Sequence, residues 1–189
     1  FLYAGLGYGG SCFPKDINAL INAQRLSKSS SLIVQATKKR NILALENFER
    51  KILKHCKGNK KEKSLTIWVL SFKPNTDDIR ESLAIKLIKK LHNKFYNIYC
   101  YDPEAGKNTK SFLKRYENIR IISDPYKNIS DSNALVICTE WKEFWNPNYE
   151  KLLPLKDMLI FDGRNILDKD NLRKYKFDYH GVGTKSVQY

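Results

Sequence analysis

Cys12, Lys15 and Asp16, set behind a run of glycines, are the residues whose types and spacing could do chemistry. They lie in the opening stretch FLYAGLGYGGSCFPKDINAL, where Gly5, Gly7, Gly9 and Gly10 precede the cysteine. A glycine cluster implies a backbone that turns sharply or closely approaches a neighbour. Pro14 suits the first turn of a helix, where its missing N–H is not needed. Cys12 is therefore expected at a helix N-terminus, where unpaired N–H groups and the helix dipole favour a thiolate over a thiol. Lys15, within a turn, pushes the same way. The chemistry this predicts is nucleophilic attack by sulfur. The plainer account, a cysteine packed as a small hydrophobe, stands beside it. Gly5, Gly7 and Gly10 also spell G-x-G-x-x-G, but only four residues precede Gly5 and Lys28 to Gln35 holds no acid. The dinucleotide fingerprint needs a strand before it and an acid after it, so that reading is rejected.

The second half adds three chemically rich segments. Phe72 to Glu81 carries Lys73, Asp77, Asp78 and Arg80, a basic pair flanking two carboxylates. Thr139-Glu140-Trp141 could cover a base or simply cap a sheet. Asp162-Gly163-Arg164-Asn165 carries a guanidinium suited to diphosphate oxygens or a uracil edge. Each segment has a plain alternative as a charged or self-satisfied surface turn.

Elements must position these groups. After Asp16 the pattern INALINAQRL continues a short helix, and Ser27 to Ser31 makes a polar break. From Leu32 to His55 apolar residues recur at helical spacing, giving a long helix with a stop at Gly58. From Ser64 the rhythm changes. A continuous apolar run at Leu65–Leu70 and strand-like segments at Ile98–Tyr101, Ile119–Ile122, Ala134–Cys138 and Met158–Phe161 alternate with helical or polar segments, and Phe177–Val182 closes the chain. The segment Trp141 to Lys151 reads as loop then short helix. Runs buried on both faces with crossovers between them predict an α/β fold, a doubly wound parallel sheet preceded by a long helical segment. In such sheets ligands bind at the carboxyl ends of strands, which all three rich loops follow.

GLGYGGSCFPKD resembles the cysteine motif of the UDP-glucose/GDP-mannose dehydrogenase family, most closely its UDP-glucose 6-dehydrogenase branch. FKPNTDDIRES resembles a second signature of that family, in the right order and at plausible separation; Leu83 stands where many relatives have proline. The resemblance implies a Rossmann-like domain over 61–189 that binds a UDP-sugar, after a cysteine loop and central dimerising helix over 1–60. It implies that Cys12 is the nucleophile and that Asp16 helps organise a water. It implies that Phe1, Leu2, Tyr3, Gly5, Tyr8 and Gly9 line the nucleotide-sugar with Phe72, Lys73 and Arg164, and that Lys15 and Arg80 face NAD. The implied reaction is a double oxidation of UDP-glucose through a thiohemiacetal and a thioester. In the family an NAD-binding domain precedes the cysteine motif, so the chain is expected to correspond to the downstream part and not to turn over by itself. GDP-mannose or another nucleotide-sugar as substrate, and a non-catalytic nucleotide-sugar-binding or oligomerisation module, remain alternatives.

Composition bounds these readings. The 189 residues suffice for one domain with a proper core plus a helical segment. No apolar run approaches bilayer length and no leader pattern opens the chain, so a cytoplasmic protein without a membrane partner is expected. A net charge of +14 raises nucleic acid as a partner. The lysines are spread along the chain with no reader motif, and nucleic acid is not expected. Cys12, Cys56, Cys100 and Cys138 are widely separated with no histidine at ligand spacing, which predicts neither a metal site nor a disulfide framework.

Overall fold

A computed structural model describes residues 3–187. Two helices come first, α1 (Phe13–Leu26) and α2 (Leu32–His55). Six strands follow: β1 (Ser64–Trp68), β2 (Asn97–Tyr101), β3 (Ile119–Ile121), β4 (Ala134–Ile137), β5 (Leu159–Asp162) and β6 (Asp178–Gly181). Helices α3 (Leu83–Leu91), α4 (Gly106–Leu113) and α5 (Lys169–Lys174) lie in the crossovers. The order across the sheet is β3-β2-β1-β4-β5-β6, and every pairing is parallel. The expected doubly wound parallel sheet is the observed fold.

Side chains on successive strand residues point to opposite faces, and here both faces are covered. Leu65 and Ile67 of β1, Ala134 and Val136 of β4, and Leu159 and Phe161 of β5 join one core with α3 and the C-terminal half of α2. Trp68, Leu135, Ile137 and Ile160 point the other way and pack with Phe144, Leu152, Leu172 and Phe177. This explains the predominantly apolar runs: neither face is open to water, and a polar residue such as Thr66 is buried there with a hydrogen-bond partner, Ser132 at 2.8 Å.

The link from β4 to β5 differs from the sequence reading. In place of a short helix it holds two 3-10 turns, Lys142–Phe144 and Glu150–Leu152. Pro147 lies between them and has no N–H to continue an α-helical ladder.

Among the described residues α1 buries none of its side chains, whereas α2 buries Leu45, Phe48, Glu49 and Ile52. Glu49 is held by Lys90 and Lys94, at 3.3 and 2.6 Å. At its end α2 brings His55 against His180 of β6, with ring centroids 3.9 Å apart, and Lys51 donates to the Gly181 carbonyl at 2.5 Å. No described helix is long and apolar enough to cross a membrane.

Candidate functional site

Reversal of the strand order between β1 and β4 opens a crevice at the carboxyl ends of these strands. Three loops leave the sheet there: 69–82 after β1, 138–141 after β4 and 163–166 after β5. The first begins in strain. Val69 has φ 68°, where a β-branched residue is rare, and at its far end Glu81 has φ 52°. What holds it is Asp102, just past β2. One carboxylate oxygen accepts from Leu70 N and Ser71 N at 2.7 and 2.8 Å; the other accepts from Glu104 N and Ala105 N at 2.9 and 2.7 Å. Ser82 caps α3 and donates to the Leu70 carbonyl at 2.6 Å, closing the loop at its base. Thr139 donates to the Ser71 carbonyl at 2.9 Å, and the Trp141 indole reaches Ser71 Oγ at 3.3 Å.

Against these loops lies the glycine-rich segment. Asn41, from α2, clamps Tyr8 at both backbone groups: Tyr8 N donates to Asn41 Oδ1 at 2.6 Å, and Asn41 Nδ2 donates to the Tyr8 carbonyl at 3.0 Å. Leu6 is buried, packing in the same core as the sheet. Close approach explains the glycines. A Cβ on Gly5 would lie 2.3 Å from Arg164 Nη1, and one on Gly9 would lie 2.5 Å from the Glu81 carbonyl oxygen. Tyr3, Gly5, Gly7 and Tyr8 on one side and Glu140 and Arg164 on the other line an open cavity of about 450 Å³. Its volume lies within the range usual for small-molecule sites.

Cys12 is exposed and occupies the N-cap position of α1, with Pro14 in the first turn. Its carbonyl accepts from Asp16 N at 2.9 Å. Ser11 Oγ is 3.7 Å from its sulfur. The other three cysteines are buried; burial pushes the Cys56 thiol up to about 12 and those of Cys100 and Cys138 higher still. The Lys15 ammonium pairs with Asp16 at 3.2 Å, both largely exposed.

Phe72 is half-buried beneath Gly10, and the Lys73 ammonium is 5.4 Å from its ring centroid. Arg80 forks onto Asp78, with Nε 3.0 and 3.1 Å and Nη2 2.8 Å from the carboxylate oxygens. That guanidinium holds the Asp78 carboxyl below the usual carboxylate range. Asp77 is taken by Asn108 at 2.9 Å. Arg164 follows β5 in a turn gripped by buried Asp162, which accepts from Arg164 N, Ile166 N and Leu167 N at 2.9, 2.8 and 3.0 Å. Phe1 and Leu2 lie outside the described residues.

The structure thus brings Tyr3, Gly5, Tyr8, Gly9, Phe72 and Arg164 to one end of the sheet. Lys15, Asp16 and Arg80 stand on its solvent side. Sequence reasoning missed Asn41, an unremarkable polar residue on a helix, and the clamp of Asp102. It left Thr139-Glu140-Trp141 as a base cover or a sheet cap and did not single out Glu140, whose Oε1 sits 2.7 Å from Arg164 Nη2 in the cavity wall.

The sheet offers no dinucleotide cradle of its own. The loop after β1 holds no glycine, and Asp102, at the end of β2 where such folds place the ribose-binding acid, is consumed by four backbone N–H groups.

Residues 66–169 match the family model "UDP-glucose/GDP-mannose dehydrogenase family, UDP binding domain", and residues 1–42 match that family's central domain. The chain is 36% identical to a UDP-glucose 6-dehydrogenase of Rhizobium meliloti, over 97% of this chain and 41% of that protein. It is 38% identical to one of Rickettsia conorii, over 98% of this chain and 43% of that protein. Among solved structures, a UDP-glucose dehydrogenase from Pyrobaculum islandicum superposes with a TM-score of 0.80 at 27% identity, covering 96% of this chain and 39% of that one. The chain spans about two fifths of the length of these relatives.

Proposed function

Because the chain belongs to the UDP-glucose/GDP-mannose dehydrogenase family, we propose that it forms the sugar-nucleotide side of an enzyme oxidising UDP-glucose to UDP-glucuronate. The observation that carries this reading is the docking of the glycine-rich segment over the carboxyl ends of β1, β4 and β5, with Arg164 against Gly5 and exposed Cys12 at the head of α1. The cavity there binds the nucleotide diphosphate, with Tyr3 and Tyr8 supplying faces and Arg164 supplying charge, and Phe72 and Lys73 of the loop after β1 extend the site beneath Gly10.

NAD, when bound, takes up the hydrides of the two oxidations. The solvent-side cations Lys15 and Arg80 fit a pyrophosphate-bearing cofactor approaching from beyond Cys12, whereas the sheet itself does not. The part of Cys12 is to attack the aldehyde carbon through Sγ, giving a thiohemiacetal, and to leave as thiolate when water hydrolyses the thioester. Asp16, one helical turn on, orients that water. These 189 residues hold the nucleotide-sugar without turning it over.

Thermal melting with UDP-glucose, UDP, GDP-mannose and NAD+ added separately tests this. A ligand that binds only the folded chain raises the midpoint by mass action, by about 2.7 kcal/mol of stability at a hundredfold excess over Kd. UDP-glucose and UDP are expected to raise it, and Lys73→Ala or Arg164→Ala to remove the rise. A rise with GDP-mannose alone would replace the substrate, and none with any nucleotide would sink the reading.

The helical segment supports a homodimer. Phe13, Leu20, Leu26, Leu32, Ile33 and Ile42 are exposed large hydrophobics on α1 and α2. Light scattering should give twice the chain mass, and Ile33→Lys with Ile42→Lys should shift it to one; a monomer at all concentrations refutes the assembly.

A further inference from the structure

The wall of the cavity holds a carboxylate as well as a guanidinium. Glu140 Oε1 is 2.7 Å from Arg164 Nη2, and both side chains are largely covered, at 29% and 20% exposure. The rest of the guanidinium is also constrained. Nη1 lies against Gly5, and Nε is buried without a partner. The cavity therefore presents a matched acceptor and donor side by side, not a lone cation. A lone cation recognises any phosphate. A carboxylate next to it repels bare anions and accepts hydrogen bonds from neutral O–H or N–H groups.

Resting on the nucleotide-sugar reading above, we propose that Glu140 is a specificity-determining residue of this site. Its carboxylate accepts from a hydroxyl or ring N–H of the ligand while the neighbouring Arg164 donates to an adjacent ligand oxygen. The pair thereby admits a diphosphate that carries neutral donors beside its charge, as a nucleotide-sugar does, and disfavours inorganic phosphates. Glu140 comes from the loop after β4 and Arg164 from the loop after β5, so neighbouring parallel strands set their spacing. A fixed donor–acceptor pair is what selective recognition of polar groups requires, because a ligand lacking the matching group leaves the remaining lone pairs of a partly desolvated carboxylate without a donor.

Titration calorimetry of the whole chain with UDP-glucose and with inorganic pyrophosphate tests this. Glu140→Gln should weaken UDP-glucose by about tenfold, the loss of one hydrogen bond to a charged acceptor, and tighten pyrophosphate several-fold by removing like-charge repulsion. Glu140→Asp should recover part of the preference. The ratio of the two affinities is the readout, since a residue that only propped up the fold would move both ligands together. A parallel change in both ligands, or an unmoved UDP-glucose affinity, overturns the proposal. Arg164→Ala separates the two readings. If the parent chain binds UDP-glucose and Arg164→Ala loses it while Glu140→Gln leaves the ratio alone, this inference fails and the nucleotide-sugar reading stands. If the parent chain binds no UDP-glucose, both fail.

Discussion

Single residues divide here into those whose chemistry faces solvent and those whose chemistry is spent inside. Cys12 is exposed, while Cys56, Cys100 and Cys138 are buried with thiols pushed up by desolvation. Thiolate is the reactive form, so brief alkylation of the native chain with iodoacetamide should label one thiol, and peptide mass spectrometry should find it at Cys12. Cys12→Ser should leave the native chain unlabelled; labelling at Cys100 or Cys138 would mean that the strands are not packed as described. His180 titrates differently. Burial first, then the nearby charges of His55 and Lys51, lower its pKa from 6.5 to about 4. The folded state therefore prefers the neutral ring more strongly than the unfolded chain does. Stability from this residue is complete above pH 6.5 and is lost as pH falls from there to about 4. The full loss is about 3 kcal/mol. Urea midpoints measured across that window should fall with acidification, and His180→Leu should flatten the slope. A slope unchanged in the variant would assign the acid sensitivity to other groups, Glu49 among them, whose carboxyl its lysine partners hold low.

Elements explain how the site is held. The loop after β1 leaves the strand through a left-handed Val69, a conformation costing on the order of 1–3 kcal/mol. Asp102 and Ser82 fix that loop from beneath. Asp102→Asn keeps the volume but turns an acceptor into a donor facing two N–H groups. It should cost about 2–4 kcal/mol in urea unfolding and loosen the loop that carries Phe72 and Lys73. A variant of parent stability would show that the clamp contributes little. The sequence disclosed the strands well, because burial on both faces leaves predominantly apolar runs such as LTIWV and ALVI. It disclosed the α1 start, because Pro14 and the glycines are local signals. It could not disclose Asn41 holding Tyr8, or Glu140 meeting Arg164, because each is a tertiary pairing of residues with no common local pattern. Thr139 and Trp141 do what a sheet-capping reading expects, in bonding Ser71, and Glu140 beside them does not. Where a loop and a short helix are expected over 141–151, two 3-10 turns form, because Pro147 between them has no N–H to continue a helical ladder.

On the scale of the whole molecule, the first residues of the chain complete a site whose other wall is made near its end. Gly5 touches Arg164, about 160 residues later, and α2 reaches β6 through Lys51 and His55. Contacts this distant in sequence form late, after the chain between them has been ordered. During synthesis at roughly 5–20 residues per second, the cysteine segment would wait from about 8 to 30 seconds before Arg164 is even made. Throughout that interval the glycine-rich segment has no partner wall, and the cavity between Gly5 and Arg164 does not exist. Assembly order thus acts as a gate on the cavity: it closes only on a chain whose last strands are already in place.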